Sequence, residues 1–172
     1  MGYPMAWHLL KAGHTVTVYN RTSEKSDKWA AEYGGDTAAT PKEIAQDKDI
    51  IFCCVGNDDD LRGVTLGNEG AFHGMDAGTV FVDHTTASAN IARELYNEAK
   101  RRGCHFLDAP VSGGEAGAVN GQLTIMVGGD EEPFSTVAPI MEAYAKSMRL
   151  MGEVGAGQLT KMVNQLCIAG LL

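Results

Sequence analysis

The chain has 172 residues, of which 44% are hydrophobic and 21% are charged, a composition typical of a folded globular domain and unlike a disordered segment. Fourteen Lys and Arg residues against 22 Asp and Glu residues give a formal net charge of −8. Because such a surface repels polyanions, we expect no nucleic acid and no membrane as a partner, and no apolar run reaches the ~20 residues that a membrane span needs.

Strand and helix patterns alternate along most of the chain. The predicted elements are helix 4–13, strand 15–19, helix 23–33, a helix start at 40–43, strand 49–55, strand 79–83, helix 89–102, strand 104–108, strand 123–127, helix 131–144 and strand 147–151. Strands that alternate with crossover helices predict an α/β fold with a mostly parallel, doubly wound sheet and helices on both faces.

The cysteine pattern argues against a metal site. Cys53 and Cys54 are neighbours in a predicted strand, so their side chains point to opposite faces, and no C-x-x-C pair is present. We therefore expect four buried, reduced thiols and no bound metal, which fits a reducing, cytoplasmic location.

The last segment has a different character from the rest. Apolar residues follow helical spacing along one face, at Leu159, Met162, Val163, Leu166, Cys167 and Gly170. The opposite face carries Lys161, Asn164 and Gln165. The simplest interpretation of Lys161 is a solvent-facing lysine; the alternative is a lysine held beside a cofactor, whose lowered pKa would suit a proton donor.

Two loops at strand ends are candidate binding segments. Asn20–Thr22 stands where an acidic residue would hold the ribose in an NAD enzyme, and Arg21 would suit a 2′-phosphate instead; the alternative is a solvated loop arginine. The strand at 104–108 leads into the loop Ser112–Gly114, whose hydroxyl and backbone N–H groups could bind a small carboxylate. The alternative is that this loop is an ordinary glycine-rich turn.

Five segments occur in an order that resembles one known family: Met1–Ala6, Asn20–Thr22, Asp83–Thr86, Asp108–Gly114 and Gly155–Asn164. Together they resemble the β-hydroxyacid dehydrogenases, which include 3-hydroxyisobutyrate dehydrogenase, tartronate semialdehyde reductase and glyoxylate/succinic semialdehyde reductase. The resemblance implies a Rossmann-like fold, NADP(H) as the cofactor with NAD(H) as the alternative, and hydride transfer to or from a short β-hydroxyacid or semialdehyde acid.

The resemblance also implies a role for individual residues. The implied cofactor-binding residues are Gly2 over the pyrophosphate, Asn20, Arg21 and Thr22 at the adenosine ribose and its phosphate, Val55, Gly56 and Asn57 along the cofactor, and Thr86 near the nicotinamide ribose. The sequence departs from the family at Val55–Gly56, where many members have Leu-Pro or Met-Pro.

The implied substrate site has three parts. Ser112, Gly113 and Gly114 would bind the substrate carboxylate, and Asn164 would orient the substrate. Lys161 would be the catalytic residue, which protonates the carbonyl oxygen or accepts the hydroxyl proton in the reverse direction.

The resemblance implies further chain at both ends. Residues 1–154 would be a dinucleotide-binding domain that lacks its first strand, and residues 155–172 would begin a long interdomain helix that leads to an all-α domain. The full-length protein would be a homodimer or tetramer, and this chain by itself would lack half of the substrate pocket.

Two alternative functions remain open from the sequence. One is a non-catalytic cofactor-binding or interaction module on the same scaffold, since a fold does not determine a function. The other is a 6-phosphogluconate dehydrogenase-like enzyme, a sister family with a similar Ser-Gly-Gly loop and lysine. That family normally has His-Asn where this chain has Asn164–Gln165.

Overall fold

The computed structural model describes residues 1–171 and has an α/β architecture. In chain order the elements are α1 (Gly2–Lys11), β1 (Thr17–Val18), α2 (Ser23–Tyr33), β2 (Asp36–Thr37), α3 (Pro41–Ile44), β3 (Ile50–Cys53), α4 (Asp58–Leu66), β4 (Val80–Asp83), α5 (Ala89–Arg101), β5 (His105–Asp108), β6 (Val111–Ser112), α6 (Gly114–Val119), β7 (Leu123–Gly128), α7 (Glu131–Met141), β8 (Ala145–Gly152) and α8 (Ala156–Leu171). A single 3₁₀ turn at Ala71–His73 lies between α4 and β4. Leu172, the last residue of the predicted interdomain helix, lies outside the described residues.

The main sheet has six strands. β3, β4 and β5 are parallel and in register, so that Cys53, Asp83 and Asp108 lie side by side at their carboxyl ends. β7 runs antiparallel to β5 and β6, and β8 is parallel to β7. The predicted α/β, Rossmann-like fold is therefore confirmed, with the parallel part of the main sheet confined to β3–β5 and to the pair β7–β8.

A gap separates this sheet from a small second sheet. Within the described residues β1 pairs only with β2, and β3 pairs only with β4. Val16 and Val18 on one side and Ile50 and Phe52 on the other line a cavity of about 900 Å³. This cavity lies beside the chain segment 15–19, for which a strand is predicted.

Side-chain caps fix where several helices begin. The Thr40 hydroxyl accepts a hydrogen bond from Glu43 N (3.1 Å), as the capping-box pattern predicts, and the Ser88 hydroxyl accepts one from Ile91 N (3.1 Å). Helix α2 begins at Ser23 with Thr22 as its N-cap, and no side chain caps it. These caps satisfy N–H groups in the first turns of α3 and α5.

The four cysteines are all free, but the expectation that all four are buried is wrong. Cys104 is buried and Cys53 is half-buried, whereas Cys54 and Cys167 are exposed. Cys54 follows the last residue of β3 and so lies beyond the covered part of the sheet. Cys167 lies on α8, most of whose last two turns are exposed.

Helix α8 buries Gln158 and Lys161 but leaves Gln165, on the same predicted polar face as Lys161, exposed. Gln158 has no exposed surface and Lys161 is only 7% exposed, whereas Val163 is 60% and Leu166 is 72% exposed. The interpretation of Lys161 as a solvent-facing lysine is therefore wrong. The apolar stripe of α8 faces outward in this structure.

Two kinds of feature are absent from residues 1–171. No helix among them has the length and hydropathy to cross a bilayer. The same residues contain no group of three or more His, Cys, Asp or Glu side chains placed to hold a metal ion.

Asp83 is a fully buried carboxyl group at the end of β4. Its Oδ1 accepts a hydrogen bond from Thr85 N (2.9 Å), and its Oδ2 has no hydrogen-bond partner among the described residues. Burial raises the pKa of Asp83 to about 7, although the bonds from Thr85 act in the opposite direction. The folded state therefore holds a proton on Asp83 over a pH range in which the unfolded chain has lost it.

We predict that Asp83→Asn stabilises the protein more at pH 8 than at pH 5. Asparagine mimics the protonated carboxyl group at both pH values. In the natural protein, the contribution of protonated Asp83 to the unfolding free energy is lost as the pH rises from the unfolded pKa of about 4 towards the folded pKa of about 7. The expected gain in unfolding free energy at pH 8 over pH 5 is about 1–4 kcal/mol, measured by urea denaturation.

The matched control is Asp59→Asn, because the Asp59 side chain is 97% exposed. This control should change stability by the same small amount at both pH values. An Asp83→Asn effect that is equal at pH 5 and pH 8 would show that Asp83 does not titrate as described.

Candidate functional site

Three segments with predicted site residues leave the same edge of the main sheet. The parallel strands β3, β4 and β5 end at Cys53, Asp83 and Asp108, which are neighbours in the sheet. The chain after these strands carries, respectively, Val55–Asn57, Thr86 and Ser112–Gly114. Ligands of doubly wound sheets bind beyond the carboxyl ends of the strands, so this edge is the candidate site.

Asp108 joins the edge to the start of α8. The side chain is fully buried, and its Oδ1 and Oδ2 accept hydrogen bonds from Gly155 N (2.7 Å) and Gln158 N (2.8 Å). Burial raises the pKa of Asp108, and these backbone N–H groups partly offset the rise. At Gly157 a Cβ would lie 2.7 Å from the carbonyl oxygen of Asp108, so α8 sits too close to β5 for a side chain there.

Gln158 connects α8 to the segment after β4. Its Nε2 donates a hydrogen bond to the Thr85 carbonyl oxygen (2.7 Å), and its Oε1 accepts one from Ala87 N (3.1 Å). Thr86 lies between these two points and is exposed. A single buried amide therefore presents Thr86 at the edge of the sheet.

Lys161 and Asn164 follow Gln158 on α8 at intervals of three residues, so the three side chains lie along one side of the helix. Lys161 is almost completely buried and takes part in no ion pair within residues 1–171. Burial lowers the pKa of Lys161. The Asn164 Nδ2 group is buried and has no hydrogen-bond partner in the same part of the chain. These two donors could bind an oxygen-bearing ligand.

The segments after β3 and β4 are bonded to each other. Val55 N donates to the Thr85 hydroxyl (3.1 Å), and Asp58 accepts hydrogen bonds from both Ser88 N (2.8 Å) and the Ser88 hydroxyl (2.5 Å). Asn57 is the N-cap of α4, so its Oδ1 already accepts the N–H of Asp60. The predicted segment Val55–Asn57 therefore has a fixed conformation.

The beginning of α1 also lies at this edge. Gly2 is the first residue of α1, and a Cβ on it would be 3.8 Å from the Cβ of Cys54. No side chain caps this helix start, and its first turn has no acidic residue. A helix N-terminus with free N–H groups attracts anions, so this end of α1 fits the pyrophosphate of a dinucleotide.

Asn20, Arg21 and Thr22 form an exposed turn after β1. The Asn20 Oδ1 accepts a hydrogen bond from Thr22 N (3.0 Å). The side chain of Arg21, between these two residues, is 84% exposed. The guanidinium of Arg21 is paired with the carboxylate of Asp60 (3.1 Å), in the first turn of α4. An exposed guanidinium at this place fits a phosphate group.

Ser112 is the last residue of β6, Gly113 is the N-cap of α6, and Gly114 is the first residue of α6. Gly113 and Gly114 have φ angles of 130° and 62°, which favour glycine. In the described part of the chain, no side-chain hydrogen bond links this loop to α8. The loop is connected to the start of α8 through Asp108, four residues before Ser112.

The roles of Asp108, Gln158 and Asp60 are visible only in the structure. Asp108 and Gln158 are within motifs that were singled out, but nothing in one sequence pairs a strand-end carboxylate with backbone groups about 50 residues later. Asp60 stands in a run of three aspartates that resembles an ordinary acidic helix start.

Residues 1–155 match the sequence family described as the NAD binding domain of 6-phosphogluconate dehydrogenase. An "uncharacterized oxidoreductase" of Shewanella frigidimarina (strain NCIMB 400) is 60% identical over 172 residues, which is 100% of this chain and 59% of that protein. The Arabidopsis thaliana protein named "Probable 3-hydroxyisobutyrate dehydrogenase-like 2, mitochondrial" is 45% identical over 168 residues, 98% of this chain and 56% of that protein. The chain thus spans less than two thirds of these relatives.

A solved structure has the same fold. The structure of 3-hydroxyisobutyrate dehydrogenase of Mycobacterium tuberculosis with L-serine has a TM-score of 0.91 and 31% sequence identity over 98% of this chain and 57% of that one. The family match covers most of the chain and includes the whole edge formed by β3, β4 and β5. The chain therefore belongs to the family described as the NAD binding domain of 6-phosphogluconate dehydrogenase.

Proposed function

We propose that the full-length protein transfers a hydride between NADP(H) or NAD(H) and a short β-hydroxyacid or semialdehyde acid. One observation carries the proposal: Lys161 is buried, and one turn further along α8 the Asn164 Nδ2 has no hydrogen-bond partner among the described residues. Both lie on the same side of α8 as Gln158, whose hydrogen bond to Thr85 holds this side against the edge of the sheet. The L-serine named with the mycobacterial relative is a β-hydroxyacid, which supports this substrate class.

The residues that would hold the cofactor follow the edge from α1 to α8. The proposed cofactor-binding residues are Gly2, Asn20, Arg21, Thr22, Val55, Gly56, Asn57 and Thr86. The uncapped start of α1 suits the pyrophosphate, and the exposed guanidinium of Arg21 suits a 2′-phosphate, which makes NADP(H) the proposed preference.

Lys161 is the proposed catalytic residue. The bound nicotinamide supplies or accepts the hydride, while the Nζ of Lys161 gives a proton to the substrate carbonyl oxygen or takes it back from the hydroxyl group. Burial lowers the pKa of Lys161, which makes the ammonium a better acid near neutral pH. Ser112, Gly113 and Gly114 would bind the carboxylate, and the free Nδ2 of Asn164 would orient the substrate.

The remaining parts of the proposal concern the whole protein. We propose that residues 1–154 form the cofactor domain, that 155–172 begin an interdomain helix, and that the protein is a cytoplasmic homodimer or tetramer. The exposed apolar side chains of α8 support burial by further protein, and the four free cysteines fit a reducing compartment.

We predict that Lys161→Ala in the full-length protein lowers kcat about 10²- to 10⁴-fold, because the reaction loses its proton donor. Turnover is measured with 3-hydroxyisobutyrate, L-serine, tartronate semialdehyde, glyoxylate, succinic semialdehyde and 6-phosphogluconate, each with both cofactors. The Kd of the cofactor should change less than about threefold, since the proton donor does not hold the dinucleotide.

The matched control is Lys146→Ala, which removes an exposed lysine on β8 and should retain full turnover. A Lys161→Ala protein with undiminished kcat would favour a non-catalytic cofactor-binding module. Turnover of 6-phosphogluconate alone would favour the sister family.

We also predict that Arg21→Ala weakens NADPH binding about 10- to 100-fold and NADH binding much less, since only NADPH offers a phosphate to the guanidinium. Binding is measured by fluorescence titration of each reduced cofactor. Equal losses for the two cofactors would refute the role of Arg21 at the 2′-phosphate.

A further inference from the structure

Each of the three consecutive aspartates at the start of α4 has a different partner. Asp58 accepts two hydrogen bonds from Ser88, and Asp59 pairs with Arg62 (3.3 Å) on the same helix. Asp60 is the one that reaches across to the turn after β1, where it pairs with Arg21 (3.1 Å). The proposed phosphate-binding arginine therefore has a carboxylate beside it before any cofactor binds.

The position of Asp60 is fixed by its own loop. Its N–H is held by the Asn57 Oδ1 (2.9 Å), and only 31% of its side chain is exposed. At Gly56 a Cβ would lie 2.7 Å from the Asp60 Oδ2, so a side chain there would shift the carboxylate from its observed position. Glycine in the loop that departs from the family pattern at Val55–Gly56 is therefore compatible with the Asp60 rotamer that reaches Arg21.

A carboxylate at this place acts differently on the two cofactors. A 2′-phosphate carries close to two negative charges, so it is repelled by Asp60 and competes with it for the Arg21 guanidinium. A 2′-hydroxyl carries no charge and meets neither effect. Removal of the carboxylate therefore favours the phosphorylated cofactor alone.

We propose that Asp60 is a specificity-determining residue that limits the preference of this site for NADP(H) over NAD(H) by pairing with Arg21. The inference rests on the proposed nicotinamide-cofactor function. It adds to that function a residue outside the turn at Asn20–Thr22.

The test is the Kd of NADPH and of NADH for the full-length protein, measured by fluorescence titration at low ionic strength, where charge effects are least screened. Asp60→Asn should strengthen NADPH binding about two- to fivefold and change NADH binding by less than half of that, in keeping with a partly exposed ion pair. Asp60→Ser serves as a second variant, and thermal melting verifies that both are folded.

Two comparisons make the result specific. Asp59→Asn removes the same charge one residue away, from a side chain that is 97% exposed, and should leave the ratio of the two Kd values unchanged. In an Arg21→Ala background the gain from Asp60→Asn should fall by at least half, since competition for the guanidinium is then absent.

The outcomes separate the inference from the function on which it rests. If the natural protein binds both cofactors but folded Asp60→Asn and Asp60→Ser leave the NADPH/NADH ratio unchanged, or shift it towards NADH, the role of Asp60 is overturned and the proposed function stands. If the natural protein binds neither cofactor, the proposed function and this inference both fail.

Discussion

At the end of β5 the carboxylate of Asp108 is completely removed from water, and its two oxygens accept hydrogen bonds from Gly155 N and Gln158 N at the start of α8. Burial of an unpartnered carboxylate would cost several kcal/mol, so these bonds and the positive end of the helix dipole are what allow the group to remain there. Because both bonds must form together, α8 begins at one place and in one rotation above the sheet. The proposed catalytic Lys161 takes its position from this contact.

Gln158 extends the same constraint to the segment after β4. The conformational entropy lost in fixing a loop residue is about 1–2 kcal/mol at 25 °C, so an exposed residue such as Thr86 needs partners on either side to hold one conformation. Gln158 supplies them by donating a hydrogen bond to the Thr85 carbonyl oxygen and accepting one from Ala87 N, and Asp58 holds Ser88 by accepting the N–H of Ser88. The candidate site is therefore organised by buried polar side chains more than by apolar packing.

The two ends of the candidate site differ in their exposure to water. Arg21 is 84% exposed and Lys161 is 7% exposed. Charge interactions at the exposed end are weakened by solvent and salt, so Asp60 and Arg21 can adjust binding only modestly. At the buried end the same charge is less hydrated, which lowers the pKa of Lys161 and suits the proposed transfer of a proton.

The α/β class, the order of most helices and strands, and the segments that meet at the edge were predictable from the sequence, whereas β2, α4, β6 and α6 were not among the predicted elements. The predictable features follow from local signals: apolar periodicity, the capping box at Thr40, and parallel strands whose carboxyl ends must share one edge. Only the tertiary structure decided the direction of β7, the partner of Arg21 and which face of α8 is covered. Periodicity groups residues into faces, but the side of α8 that carries Gln158 and Lys161 is covered because Asp108 and the Thr85–Ala87 segment satisfy the hydrogen bonds of Gln158, and such partners lie far away in the chain.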